Sequence, residues 1–243
     1  MSRDASSKET AYYQLSYRMV DSGGQARLSI TELAEAIRVA NERVRDVVWT
    51  GWSMFNQFTR PEIAPRIIID TISGEEVEAY ETNLRENSQT SRDEVWRITA
   101  DGRATLFRAY REDAMIDPMF AKRGLTPGTW FSPRTLVREV YELATHAKEL
   151  SKAFPSAVKV EFRCTWLGLS GRIIADFEPG TNWRERRCHA DQRTSAAIVS
   201  ADELTADTAA VVAKLVKPVL NLFDGLDLSR EWIVREVPKF RML

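Results

Sequence analysis

Hydrophobic positions recur along this chain at two periods, and each change of period marks an element. From Ser29 to Val48, Leu33, Ile37, Ala40, Val44 and Val47 fall at spacings of three and four, which predicts a helix with one apolar face. Ser29 with Glu32 three residues on is a reciprocal cap that satisfies backbone donors at the helix start. A second helix opens at Ser132-Pro133, buries Leu136, Val140, Leu143, Ala147 and Leu150, and stops at Pro155. Ser200 and Glu203 cap a third, with Leu204, Thr208, Val211, Leu215, Val219 and Leu222 on one face and a kink or shortening expected at Pro218. A brief terminal helix around 229–237 adds Trp232 and Ile233 to the core.

Period two takes over elsewhere. Val158, Val160, Phe162, Cys164 and Trp166 alternate with Lys159, Glu161, Arg163 and Thr165, the signature of a half-buried strand. Trp96 to Asp113 reads as a β-hairpin turning at Asp101-Gly102, where the chain needs positive φ. The turn Leu167-Gly-Leu-Ser-Gly171 running into Arg172–Phe177 predicts a second hairpin, and 194–199 a further strand. Arg66 to Asp70 starts a strand or a helix. Tyr12, Tyr13, Leu15, Tyr17 and Met19 alternate loosely enough to add an edge strand or to pack on a neighbour, and 74–93 is polar, acidic and nearly without period, as in a mobile surface excursion. The order of elements excludes a doubly wound parallel sheet. It predicts an α+β fold: an antiparallel sheet of about five strands flanked by three long helices and one short terminal helix, with residues 1–28 as an N-terminal arm and 29–243 as a single domain. Trp49, Trp52, Phe55 and Phe58 form either a plug for the core or a stacking surface.

Composition narrows the partners. With 34 basic and 35 acidic residues in 243 the chain is nearly neutral, which argues against a polyanion as the main partner, since nucleic-acid affinity rests on clustered Lys and Arg. The run Trp183 to His189 is a local exception that reads as a charged solvent-facing loop or as a contact for a phosphate or an RNA strand. Two cysteines build no disulfide framework, the N-terminus lacks the apolar core of a secretory signal, and no stretch is long and apolar enough for a membrane span. A cytoplasmic protein without a membrane partner is the expectation.

No phosphate-binding Gly-rich loop, serine elbow with strand–helix context or His-Glu-x-x-His pair occurs, and no cofactor is implied. Cys164, Cys188, His189 and Asp191 have ligand chemistry for zinc, but their spacing does not, so no metal site is expected. Glu112 and Asp113, adjacent at a strand end, point to opposite faces and make a poor proton-sharing dyad; with His146 they are the material for an enzyme of unrecognised class. The richer constellation is Trp96, Arg97, Arg108, Arg111, Arg163, Trp166 and Arg172 on the two hairpins. There Arg97 and Arg108, and likewise Arg163 and Arg172, straddle a turn and meet across it. Such arginines are either neutralised by Glu112, Asp113, Glu161 and Asp176 or present to a ligand.

Four segments, Trp96-Arg-Ile, Asp101-Gly-Arg, Tyr110-Arg-Glu-Asp113 and Gly168-Leu-Ser-Gly-Arg172, give the central third of the chain a resemblance to the region that follows the DNA-binding domain in some bacterial Schlafen-AlbA-type regulators. That domain's acidic-lysine strand and Ala-Asn-Gly-Gly segment are absent; Val39-Ala-Asn41 lies in a helix and lacks the glycines. The resemblance therefore implies a sensor or interaction role and does not carry DNA binding over. Together these readings predict a regulatory or sensor-type module that binds a small anionic or nucleotide-like ligand or a protein partner. A homodimeric interaction subunit is the further alternative.

Overall fold

The computed structural model describes residues 11–21, 26–48, 55, 64–72, 74–83, 94–114, 121–154, 157–175 and 185–236. Its strands are β1 (Tyr12–Asp21), β2 (Arg66–Ile72), β3 (Glu75–Asn83), β4 (Glu94–Thr99), β5 (Arg103–Ala109), β6 (Trp130–Phe131), β7 (Ala157–Leu167), β8 (Ile173–Ile174) and β9 (Gln192–Ser200). Seven of them form one sheet in the order β2-β3-β4-β5-β1-β7-β9, antiparallel at every pairing, while β6 and β8 make a separate parallel pair. The helices are α1 (Ile30–Val47), α2 (Arg111–Ala114), α3 (Pro133–Ser151), α4 (Ala201–Ala206), α5 (Thr208–Leu220) and α6 (Arg230–Glu236). The α+β architecture, the antiparallel sheet and the three long helices match the sequence reading; the sheet has seven strands in place of about five.

Three strands, β1, β2 and β3, come from segments of weak pattern, and the strand expected after Gly171 does not join the sheet. Tyr12–Asp21, expected at an edge, is an interior strand, pairing with β5 on one side and β7 on the other. Tyr13, Leu15, Tyr17 and Met19 point to the helices and are buried, whereas Gln14, Ser16 and Arg18 face away, so only half of its positions need be apolar. The supposed excursion contributes β3, whose Glu75, Glu76 and Glu78 are exposed while Glu81 is buried beside Arg97 on the outer face; 84–93 lies outside the described residues.

The inner face of the sheet holds the core. Trp96, Ile98, Leu106, Leu15, Tyr17, Phe162 and Trp166 pack there against Val137, Val140, Leu143 and Ala147 of α3, which in turn contacts α1 and α5. Burial of this apolar surface, at about 25 cal/mol per Å², is the main term holding sheet to helices. Both serine capping boxes form, at Ser29 with Glu32 and at Ser200 with Glu203. The last long helix departs from expectation by breaking before Thr208. Asp207 leaves helical geometry and its side chain caps the amide of Ala210, so α4 and α5 are separate helices. Pro218 is tolerated within the last turn of α5.

At the first hairpin the Gly102 amide bonds the Thr99 carbonyl at 2.9 Å and Gly102 takes φ +80°. A side chain there would meet Met19 Cγ at 2.6 Å, so both conformation and space require glycine. The second hairpin does not form. After Gly171 the chain leaves the sheet and Ile173–Ile174 pairs in parallel with Trp130–Phe131, because the buried Arg172 is drawn toward α2.

Candidate functional site

The outer face of the β4–β5 hairpin carries a recess of about 320 Å³. Its rim is charged: Asp70 from β2, Glu81 from β3, Arg97 from β4 and Arg103 from β5; Val95, Phe107, Thr99 and Thr105 supply the apolar and hydroxyl surface. Cross-strand register creates this grouping by setting Glu81 opposite both Arg66 and Arg97, and Arg97 opposite Thr105. Arg97 Nη1 lies 2.9 Å from Asp70 Oδ2 and its other nitrogens bond Glu81, which also takes Arg66 Nη2 at 3.1 Å. Partial burial alone would push the Glu81 carboxyl up, but the Arg97 and Arg66 guanidiniums outweigh it and hold the acid below its usual range. Arg103 Nε is 2.9 Å from Asp101 Oδ2. Phe107 touches Tyr12 of β1 at 6.4 Å between ring centres, which extends the apolar side. The recess is therefore balanced in charge, with partly exposed guanidiniums beside an aromatic ring.

A second cluster lies beneath the sheet's inner face and is buried except at Asp113, which is partly exposed. Arg108 donates Nε to Glu94 Oε2 at 2.7 Å, lies 3.5 Å from Glu139 Oε1 of α3, and reaches the Tyr13 hydroxyl at 3.4 Å. Beyond it, Arg172 grips both oxygens of Asp113 at 2.7 Å, donates to the carbonyls of Gly168 at 2.7 Å and Trp130 at 3.0 Å, and stacks 4.5 Å from the centre of the Tyr110 ring. Glu112 accepts from the Ser132 amide at the start of α3, and burial pushes its carboxyl up to about 7 with Glu139 adding to the effect. His146 is fully buried, its Nδ1 2.8 Å from the Tyr17 hydroxyl, and burial drops its pKa to about 3. These groups knit α2, α3 and the turn after β7 onto the sheet; none is displayed to a substrate.

The structure thus divides the residues expected to form one surface. Arg97 belongs to the outer recess, Arg163 is exposed further along the same face, and Arg111 is exposed at the start of α2. Trp96 and Trp166 are buried side chains of the inner face, as are the guanidiniums of Arg108 and Arg172. The expected meeting of Arg97 and Arg108 across the turn is corrected by register: Arg108 stands opposite Glu94, and the two arginines occupy opposite faces. Arg163 stands opposite Ala196 on β9 and Ser16 on β1, far in topology from Arg172, because the second hairpin is absent. Glu112 and Asp113 sit on a helical turn, not a strand, and each has a fixed structural partner.

Asp176, Trp49, Trp52, Phe58, Trp183 and Arg184 lie outside the described residues, whereas Phe55 is buried between Trp96 and His146. Cys164 is buried on the inner face and its thiol pushed up to about 12, while His189 is exposed beside Asp224, so the two are not co-ligands.

Asp70, Glu81 and Phe107 were not singled out by sequence. The acids sit in weakly patterned segments, and only strand pairing joins them to the hairpin. Glu139, Glu142 and His146, spaced by three and four, did carry a signal: a polar stripe at helical period adjoining an apolar one predicts a buried polar seam. No family model matches this chain, and no curated protein or solved structure is similar to it.

Proposed function

We propose that this protein is a binding module of regulatory or sensor type that recognises a small organic anion of nucleotide-like chemistry on the outer face of the β4–β5 hairpin. The observation that carries the reading is the recess itself, where Arg97 and Arg103 stand beside Phe107. A phosphate or carboxylate would exchange with Asp70 and Glu81 for the guanidiniums. Such an exchange costs little, because ion pairs this near solvent are individually worth about 1 kcal/mol or less. Phe107 and Val95 would receive a planar or apolar body. The resemblance to the region after the DNA-binding domain of Schlafen-AlbA-type regulators supports a sensing role, though two of its four segments, Tyr110–Asp113 and Gly168–Arg172, pack on one another as a structural latch.

A thermal-shift screen against nucleotides and phosphorylated metabolites tests this. A ligand at a hundred times its Kd stabilises the folded state by about 2.7 kcal/mol, which for a chain of this size raises Tm by roughly 5–10 °C. The shift is expected to vanish in Arg97→Ala and shrink in Phe107→Ala. If no compound at millimolar concentration moves Tm, or if the shift survives both substitutions, the recess is not the site.

A further inference from the structure

An open sheet has two edges, and the two here are unlike. The edge strand β2 exposes Ile67 and Ile69 but flanks them with Arg66 and Asp70, charges of the kind that keep sheet edges from pairing. By contrast β9 has a single charge, Arg193 near its start, followed by seven uncharged residues from Thr194 to Ser200 without a proline. Its pairing with β7 runs through nine consecutive positions with no bulge, so the strand is regular from end to end. Among the described residues no strand pairs with its far side, where alternate backbone N–H and C=O groups point outward. Ile198 on this strand is 63% exposed, the highest value among the large hydrophobic residues described as exposed.

We infer that β9 pairs antiparallel with β9 of a second copy of this chain about a two-fold axis at Ala196, joining the two sheets into one. Centring at Ala196 aligns the whole of Gln192–Ser200 with itself, places the smallest side chain at the axis where the copies approach closest, and sets each Ile198 against the partner's Thr194. An isologous contact of this sort is self-complementary and closes at two subunits. Charge favours the same direction. Arg193 lies at the beginning of the strand, two residues after Asp191, and Asp202 lies in the first helical turn after its end, so antiparallel pairing turns Arg193 of each copy toward the end of the other that carries Asp202. Parallel pairing would bring the two Arg193 side chains together.

The interface is small. Nine residues at about 3.4 Å each give an edge about 30 Å long, and a sheet about 10 Å thick then buries roughly 300 Å² per copy. That falls short of the roughly 800 Å² per partner of a standard stable complex, so the dimer is a weak one, formed at tens of micromolar or above.

Light scattering on the full chain across that concentration range is expected to show a reversible monomer–dimer equilibrium, weakened at least tenfold in Ile198→Lys with unchanged circular dichroism. Under mild oxidation Ala196→Cys is expected to form a covalent dimer, while Ile198→Cys alone does not, because its mate in this register is Thr194. The native Cys164 and Cys188 are buried and do not compete. A chain that stays monomeric to millimolar concentration and gives no Ala196→Cys dimer overturns the pairing, as does a dimer indifferent to Ile198→Lys. Cross-linking of Ile198→Cys in place of Ala196→Cys overturns the register.

Discussion

The guanidinium of Arg172 is held by Asp113, two carbonyls and the face of Tyr110, and only 2% of its surface meets solvent. A lysine would keep the charge but lose the paired bonds and the planar stacking. Arg172→Lys is therefore expected to cost about 3 kcal/mol of stability in urea unfolding, since a buried pair broken on one side leaves an ill-matched partner. Glu112 and His146 make a second prediction, concerning pH. Glu112 titrates near 7 when folded against an ordinary 4.5, so the folded state retains a proton that the unfolded state has lost, and stability falls by roughly 3 kcal/mol as pH rises from 4.5 to 7. His146 acts in the other direction: its folded pKa near 3 lies below the ordinary 6.5, so stability falls as pH drops from 6.5 toward 3. Each slope corresponds to one proton, and the two cancel between 4.5 and 6.5. Glu112→Gln keeps an acceptor for the Ser132 amide and removes the first slope. The variant should be more stable than the parent at pH 8 and lose stability steadily on acidification from 6.5. Identical urea midpoints for the two proteins at pH 5, 6 and 8 would refute the assignment.

Among the elements, the break at Asp207 shows how one residue redirects a continuous pattern. The apolar positions from Leu204 to Leu222 are in phase for one helix, yet Asp207 accepts from the Ala210 amide and pairs with Arg230, so it starts α5 and ties α6 to it. Removing both roles in Asp207→Ala should lower stability by about 1–2 kcal/mol, the scale of a lost N-cap with a small ion-pair contribution, while helix content changes little. A far-UV spectrum alongside thermal unfolding separates that outcome from loss of the helix. Helix caps and stripes were readable in sequence because they depend on residues three or four apart. The second hairpin was not, since its fate was set by Arg172 reaching Asp113, 59 residues away.

For the whole molecule the consequential fact is that β1, ahead of every helix in the sequence, lies inside the sheet and not at its edge. Strand β1 links β5 to β7, so within the sheet the hairpins β2-β3 and β4-β5 are hydrogen-bonded to the β7-β9 half only through it. Deleting residues 1–25 is thus expected to abolish cooperative unfolding, with loss of near-UV ellipticity and aggregation on purification; a truncated chain that unfolds cooperatively near the parent's Tm would contradict this. The recess also exists only at this scale, since Asp70, Glu81, Arg97 and Arg103 come from four strands.

Local spacing determined the three long helices, the serine caps at Ser29, Ser132 and Ser200, the β4–β5 hairpin with its obligatory glycine, and the antiparallel α+β class, because helical and strand periods and turn chemistry act over a few residues; the cap at Asp207 that starts α5 was not among them. Tertiary structure decided the strand order, the interior place of β1, and which charged residues became structural. Arg97 and Arg108 look alike in sequence and differ by a face: one lies in an outward recess, the other is sealed beneath α3. The physical reason is that a strand's face is set by register against its neighbours, and those neighbours are recruited from chain segments that local pattern does not connect.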